Sequence, residues 1–247
     1  MGDSITANGY VDRVLADDRV LVWFDIDNTL YPASAKIGQE MGVRIRAYVA
    51  NLGFSSEEAD KLATRYSKQY GLALRGLVRH HAIDPLDFDR KVDGMLPLED
   101  KLKFDPSVRK LLEDIDRSKA RVWGLTNAFL PHAKRVLQIL KLDDLVEGIV
   151  FCDYRVKDFT CKPEAEYFGM AMKQAGLSDP SKCYFVDDNR GHVDAARALG
   201  WAKCVHFCER ENLEGEKIHT ERENGVVEIA TLEQLRSVWP EIFVKHP

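Results

Sequence analysis

The sequence predicts an α/β protein: a Rossmann-like core on a parallel sheet, interrupted after its first strand by an all-helical insert. Three observations lead there. VLVWF, residues 20–24, is a continuous apolar run without alternation, the pattern of a strand buried on both faces. From residue 105 onward strand and helix signals alternate, which implies parallel strands joined by right-handed crossovers. Between these stretches, residues 31–104 carry helical signals alone.

Local chemistry places each element. After Tyr31-Pro32 a helix is predicted over 34–52, stopped by Gly53. Ser55 and Glu58 form a capping box for a helix running toward Tyr70-Gly71. LALRGLVRHH reads as a third helix. Asp84-Pro85, an N-cap followed by a first-turn proline, starts a fourth. The helical block ends near Phe104, and Asp105-Pro106 repeats the start signal. ARVWGLTN is then a strand, PHAKRVLQILK a helix and GIVFCD a strand. KPEAEYFGMAMKQAG is a helix with Pro163 at its start and Gly176 at its stop. CYFVDDN, GHVDAARALG and AKCVHFC follow as strand, helix and strand. ENLEGEKIHTEREN reads as an exposed loop, with VVEIA and TLEQL as a last strand and short helix. The expected division is a core of residues 1–30 and 105–247 and a cap of residues 31–104. Parallel sheets bind ligands outside the carboxyl ends of their strands, so a cap inserted there would cover the binding crevice.

With 247 residues, 45% hydrophobic and 30% charged, the chain is long enough for one large domain or a core with an insert. A net charge of −5 and a pI near 5.8 argue against a nucleic-acid-binding surface. No run approaches the roughly 18 apolar residues needed to span a membrane. The first residues, MGDSITANGYVDRV, lack the apolar core of a signal peptide, so a cytoplasmic or nuclear protein is expected. MGDSIT fits the loose N-myristoylation pattern through Gly2 and Thr6, a pattern common by chance. The five cysteines are odd in number and lack zinc-type pairing, which predicts reduced thiols. In CVHFC, strand alternation puts Cys204, His206 and Cys208 on one face, where a free cysteine is more often a small core residue than a ligand.

The predicted strands end in chemistry. The first ends in Asp25, Ile26, Asp27, Asn28 and Thr29, and the second in Thr126-Asn127. Lys162 precedes Pro163, and CYFVDDN ends in Asp187-Asp188-Asn189. Parallel strands bring these ends side by side. Carboxylates at one rim repel one another, and burying them is costly unless they are paired or bind a metal. A divalent cation would remove the conflict, and hard oxygen donors without a His or Cys partner point to Mg²⁺ rather than zinc. Lys162 and Thr126 would then serve phosphate oxygens as cation and donor. One carboxylate can attack phosphorus while a second moves the proton. Asn28 is expected to form the turn, and Asn189 to cap the helix that follows.

DIDNT, LTN, CKP and VDD, in that order and at strand ends, resemble the four motifs of the haloacid dehalogenase (HAD) superfamily of phosphotransferases. The resemblance covers nearly the whole chain. It implies a HAD-like Rossmannoid parallel-sheet core with an inserted all-helical cap of the C1 type. At matching positions it implies Asp25 as the nucleophile that forms an aspartyl-phosphate, Asp27 as general acid and base, and Thr126 and Lys162 as phosphoryl-binding residues. It implies Mg²⁺ held by Asp25, the backbone carbonyl of Asp27 and Asp187, with Asp188 a ligand or the partner of one. Dehalogenating members lack the second aspartate and ion-pumping members place Thr there, so Asp27 implies a phosphatase or a sugar-phosphate mutase.

FDIDNTLYPAS, YGLALRGL, LTNA, FCDY and CKPEAEYF resemble, more narrowly, the fungal and plant pyrimidine 5′-nucleotidase branch. That implies UMP and CMP as substrates, while a fungal relative is implied to hydrolyse lysophosphatidic acid, or nucleotides as well. The alternatives are a phosphatase of another small phosphomonoester, such as lysophosphatidic acid or a sugar phosphate, and a β-phosphoglucomutase-like mutase. Outside enzymology the alternative is a nucleotide-binding regulatory protein. The expected partner is a small phosphorylated metabolite, a nucleoside monophosphate first, with no nucleic acid and no membrane span; the sequence leaves the oligomeric state open.

In the insert, Tyr66, Tyr70, Arg75, Arg79 and His80 lie close together, and Arg75 and Arg79 share a helix face. Tyr70 and Arg75 are the candidates for holding base or ribose, set against the plainer reading of packed tyrosines on a solvated helix. Asn127 and Phe129, following Thr126, are the next candidates for substrate contact. His132, at a predicted helix start, is expected to be solvent-exposed.

Overall fold

The computed structural model describes residues 17–210 and 220–245, so Gly2 and Thr6 lie outside the described residues. Seven strands form one sheet: β1 Val20–Phe24, β2 Ala120–Leu125, β3 Gly148–Val150, β4 Cys183–Asp187, β5 Lys203–Phe207, β6 Thr220–Glu221 and β7 Val227–Ile229. Their order is β3-β2-β1-β4-β5-β7-β6. Every pair is parallel except β6 with β7. The chain leaves central β1 for β2 and β3 on one side, then returns to β4 and β5 on the other. The order therefore reverses beside β1, where the carboxyl ends of such strands leave a crevice.

Both faces of β1 are buried, as its unbroken apolar run predicts. Leu21 and Trp23 pack on one face with Phe168, Phe185 and Trp201, and Val22 and Phe24 on the other with Leu111, Val136 and Trp239. Trp23 stacks on Trp201 with ring centroids 5.7 Å apart.

Residues 31–104 hold helices and no strand: α1 Ile37–Asn51, α2 Ser56–Tyr70, α3 Ala73–His81, α4 Pro85–Lys91 and α5 Leu98–Lys101. The capping box opens α2, with the Ser55 and Glu58 side chains each accepting from the other's backbone N–H. Asp84 caps α4 by accepting from Leu86 N at 2.9 Å. The first helix starts later than predicted, because 33–35 form a tight 3₁₀ turn that Lys36 closes in the left-handed region at φ 63°.

Beyond the insert run α6 Pro106–Glu113, α7 Leu130–Leu140, α8 Ala165–Gln174, α9 Arg190–Ala198 and α10 Leu235–Val238. Asp105 caps α6 through Ser107 N at 2.8 Å, and Asn189 caps α9 through Gly191 N at 2.9 Å. Two expectations are corrected. Helix α8 begins at Ala165 rather than Pro163, with Glu164 as its extended N-cap. The stretch read as an exposed loop contains β6, paired to β7 through a turn at Asn224-Gly225, with Gly225 at φ 77°; residues 211–219 lie outside the described residues. Among the described residues no helix is long and apolar enough to cross a membrane.

The insert packs tightly against the core at Gly71, the left-handed C-cap of α2 at φ 74°. A Cβ there would lie 2.3 Å from the Lys162 carbonyl oxygen and 2.8 Å from Pro163 Cδ. Gly71→Ala is therefore expected to lower stability by about 1–3 kcal/mol, from overpacking plus a disfavoured φ. It should also reduce turnover, because the displaced carbonyl belongs to Lys162. A urea midpoint equal to the parent's would contradict this.

Candidate active site

The carboxyl ends of β1, β2 and β4 converge with the Lys162 loop, as parallel pairing requires. Lys162 is fully buried. Its Nζ donates to Asp25 Oδ1 at 2.7 Å, to Asp187 Oδ2 at 2.6 Å and to the Leu125 carbonyl at 2.7 Å. Asn127 fixes the backbone of that lysine from both sides: its Oδ1 accepts from Lys162 N at 2.7 Å and its Nδ2 donates to Lys162 O at 2.9 Å. The same Nδ2 reaches Gly71 O at 3.4 Å. Thr126 is buried beside them, its hydroxyl accepting from Ala128 N at 3.0 Å.

Thr29 ties the first and last acidic motifs together. Its hydroxyl donates to Asp25 Oδ2 at 3.0 Å and accepts from Asp188 N at 3.1 Å. Asn28 sits in the left-handed region at φ 59°, consistent with a turn former. Asp187 accepts from Asn189 N at 2.7 Å and lies 3.2 Å from His192 Nδ1.

The electrostatics are unbalanced in a way that suits a cation. Burial and the Asp187 charge push Asp25 well above the usual carboxylate range, against the pull of Lys162. Asp187 goes the other way: burial opposes its charge, but Lys162 and His192 outweigh it. Asp188 is pushed up to about 7 by burial and Asp187. One ammonium thus serves a group of acids it cannot fully neutralise. Asp25, Asp187 and Asp188 each offer an oxygen within 4.8 Å of the others. An all-oxygen donor set of this charge fits a hard divalent ion such as Mg²⁺.

A cavity of about 330 Å³ opens onto this cluster. Asp25, Asp27, Thr126, Asn127, Lys162 and Asp188 line one side of it. Met41, Ile45, Leu72, Leu74 and Phe88, from α1, α4 and the start of α3, line the other. A larger cavity of about 560 Å³ lies beyond Tyr31, but its walls hold neither the acidic cluster nor Lys162.

The insert residues expected at the substrate are elsewhere. Neither Tyr70 nor Arg75 lines the cavity, nor do Tyr66, Arg79 and His80. Arg75 is buried in a two-pronged pair with Glu164, at 2.9 and 3.2 Å, linking insert to core. Tyr70 Oη bonds His80 at 2.7 Å, and the Arg79 guanidinium lies over its ring. Phe129 stacks on Tyr154 with centroids 5.0 Å apart and does not reach the cavity.

His132 reverses its expectation. It is buried, 5% exposed, and its Nε2 lies 2.7 Å from Asp27 Oδ1. Burial opposes its charge, yet the carboxylates of Asp27 and Asp93 outweigh burial and raise its pKa. Asp93, on the turn after α4, is buried on the cavity wall and pushed up to about 7 by desolvation. Sequence reasoning also passed over Thr29 and His192. The hydroxyl in DIDNT was the available signal for Thr29; burial, which decides His132, has no local signal.

A family model described as haloacid dehalogenase-like hydrolase matches residues 21–200. Phosphate metabolism protein 8 of Saccharomyces cerevisiae is 34% identical over 229 residues, covering 89% of this chain and 71% of that protein. A putative β-phosphoglucomutase from Thermotoga maritima shares the fold with a TM-score of 0.55 at 18% identity, covering 91% of this chain and 100% of that one. A HAD phosphatase from Thermococcus onnurineus does so with a TM-score of 0.54 at 20% identity, again over 91% and 100%. The matched stretch contains every residue of the acidic cluster and its lysine. The chain therefore belongs to the haloacid dehalogenase-like hydrolase family.

Proposed function

We propose that the protein is a Mg²⁺-dependent phosphomonoesterase acting through an aspartyl-phosphate, with the pyrimidine nucleotides UMP and CMP as substrates. The observation that carries this is the shared cavity wall: Asp25 and Asp27 open onto one space, with Lys162 bridging Asp25 and Asp187 and Thr126 beside them. Asp25, Asp187, Asp188 and the Asp27 carbonyl would hold the cation, which when bound supplies positive charge to the phosphate oxygens. Lys162 and Thr126 orient the phosphoryl group. Asp25 forms a bond to phosphorus as the bond to the leaving oxygen breaks, and Asp27 gives that oxygen its proton. A water then loses a proton to Asp27 and attacks the aspartyl-phosphate, which frees Asp25 and inorganic phosphate.

The pyrimidine assignment rests on the narrower motif resemblance and on the apolar wall of Leu72, Leu74 and Phe88, which offers a face to a planar ring. A cavity near 330 Å³ is within the roughly 300–1,000 Å³ range of small-molecule sites. The name of the yeast relative supports work on phosphate without naming a base.

The test is phosphate release from UMP, CMP, AMP, GMP, dUMP, lysophosphatidic acid, glycerol 3-phosphate, hexose phosphates and p-nitrophenyl phosphate, with Mg²⁺ and again with EDTA. Strong release from UMP and CMP, lost with EDTA, is expected. Release confined to lysophosphatidic acid or sugar phosphates would move the substrate and keep the chemistry. Phosphate returned to a sugar instead of released would make the protein a mutase. No release from any ester would overturn the reading.

A further inference from the structure

Asp27 receives two side-chain hydrogen bonds, and both fall on the same oxygen. Tyr31 Oη donates to Oδ1 at 2.7 Å, and His132 Nε2 lies 2.7 Å from that same Oδ1. Among the described residues no donor reaches Oδ2. The two donors arrive from different parts of the chain. Tyr31 is four residues along the same loop, and His132 stands in the first turn of α7.

His132 is an expensive residue to place there. Its side chain is 2% exposed, and its Nδ1 is buried with no hydrogen-bond partner. Its one hydrogen bond among the described residues is to Asp27. A carboxylate oxygen offers about two acceptor sites, and Tyr31 and His132 occupy both on Oδ1. Free rotation of the Asp27 carboxyl would exchange its two oxygens; two donors on one of them prevent that.

We propose that His132 is a positioning residue for the acid–base step: with Tyr31 it holds Asp27 Oδ1, so that the proton given to the leaving oxygen, and later taken from water, travels on Oδ2. This rests on the phosphomonoesterase reading and adds to it the orientation of the acid. Asp27 remains the group that touches the reacting atoms, and His132 acts through it.

The consequence depends on the leaving group. An alkoxide, such as a sugar 5′-oxygen, leaves only with a proton; p-nitrophenolate leaves without one. The experiment measures kcat/KM, which covers the steps up to the aspartyl-phosphate, with Mg²⁺. The substrates are the best alkyl phosphomonoester of the panel and p-nitrophenyl phosphate, and the proteins are wild type, H132A, H132Q, Y31F and D27N. H132A is expected to lose about 10–100-fold on the alkyl ester and less than about 3-fold on the aryl ester. H132Q, whose side-chain amide can still donate to Oδ1, should recover most of the loss. D27N should show the same selectivity more strongly.

Equal losses on both esters for H132A, or no recovery in H132Q, would overturn the proposal in favour of a packing role. If H132A does not fold, H132Q and Y31F carry the comparison: Y31F should lose selectively on the alkyl ester, and an unselective loss counts against the proposal. Wild-type protein that hydrolyses neither ester overturns the phosphatase reading itself, a D27N variant without selectivity overturns the acid role of Asp27, and either takes the inference with it.

Discussion

The Asp25→Asn variant is expected to fold at least as well as the parent and to turn over no substrate. The activity loss follows from the geometry of the proposed nucleophile. Asp25 is held by Lys162 at 2.7 Å and Thr29 at 3.0 Å and opens onto the cavity. An amide oxygen can still accept those bonds, but it cannot form the acyl-phosphate. Turnover should fall by about 10⁴-fold or more, the scale seen when a covalent nucleophile is removed. No hydroxylamine-labile phosphate should appear on the variant. The stability prediction follows from linkage. The Asp25 pKa is raised in the folded protein by burial and Asp187. Its ionised form therefore costs stability once the pH exceeds its unfolded value of about 3.9, and that cost is in force at neutral pH. A neutral amide removes it. An unfolding midpoint clearly below the parent's would contradict this account, as would phosphoenzyme on the variant.

Lys162→Ala is the complementary case, with loss of both stability and activity. Lys162 is the ammonium between Asp25 and Asp187, and all three groups are buried. Removing one member of a buried ionic cluster leaves uncompensated charge, at a cost of about 3–5 kcal/mol. The effect should be read from urea midpoints at neutral pH with and without Mg²⁺. A cation on Asp25, Asp187 and Asp188 would replace part of the lost charge, so the deficit should shrink in Mg²⁺. Turnover should not return with the stability, because the ion cannot reproduce the Nζ bonds that the proposed function assigns to the phosphoryl group. An unfolding free energy within a few tenths of a kcal/mol of the parent's in both conditions would mean that the cluster is solvated rather than buried.

What was legible in the sequence divides along a physical line. Signals carried by neighbouring residues were readable. Ser55 with Glu58, Asp84 with Pro85 and Asp105 with Pro106 each satisfy a helix end within one turn, and each helix starts there. The apolar run of β1 ending in DIDNT was readable because burial on both faces leaves no room for alternation. Burial set by distant partners was not readable. His132 looked like a polar residue at a helix start, yet its surroundings are Asp27 and Asp93, far away in the chain. Arg75 and Arg79 do share a face, since both reach Glu164. Helical spacing says which residues stand together, but not what that face is turned toward. Glu164, 89 positions on from Arg75, settled that.

The two walls of the cavity come from separate parts of the chain. Strand ends and their loops supply Asp25, Asp27, Thr126 and Lys162, while the helical insert supplies Met41, Ile45, Leu72, Leu74 and Phe88. A pocket assembled this way can be re-lined without being rebuilt. Changing an apolar residue of the insert would alter the shape offered to a substrate without replacing any group that bonds the Asp25 side chain or Lys162 Nζ. On the proposed function, the reacting carboxylates and the apolar wall that meets the substrate are then encoded in different stretches of the gene.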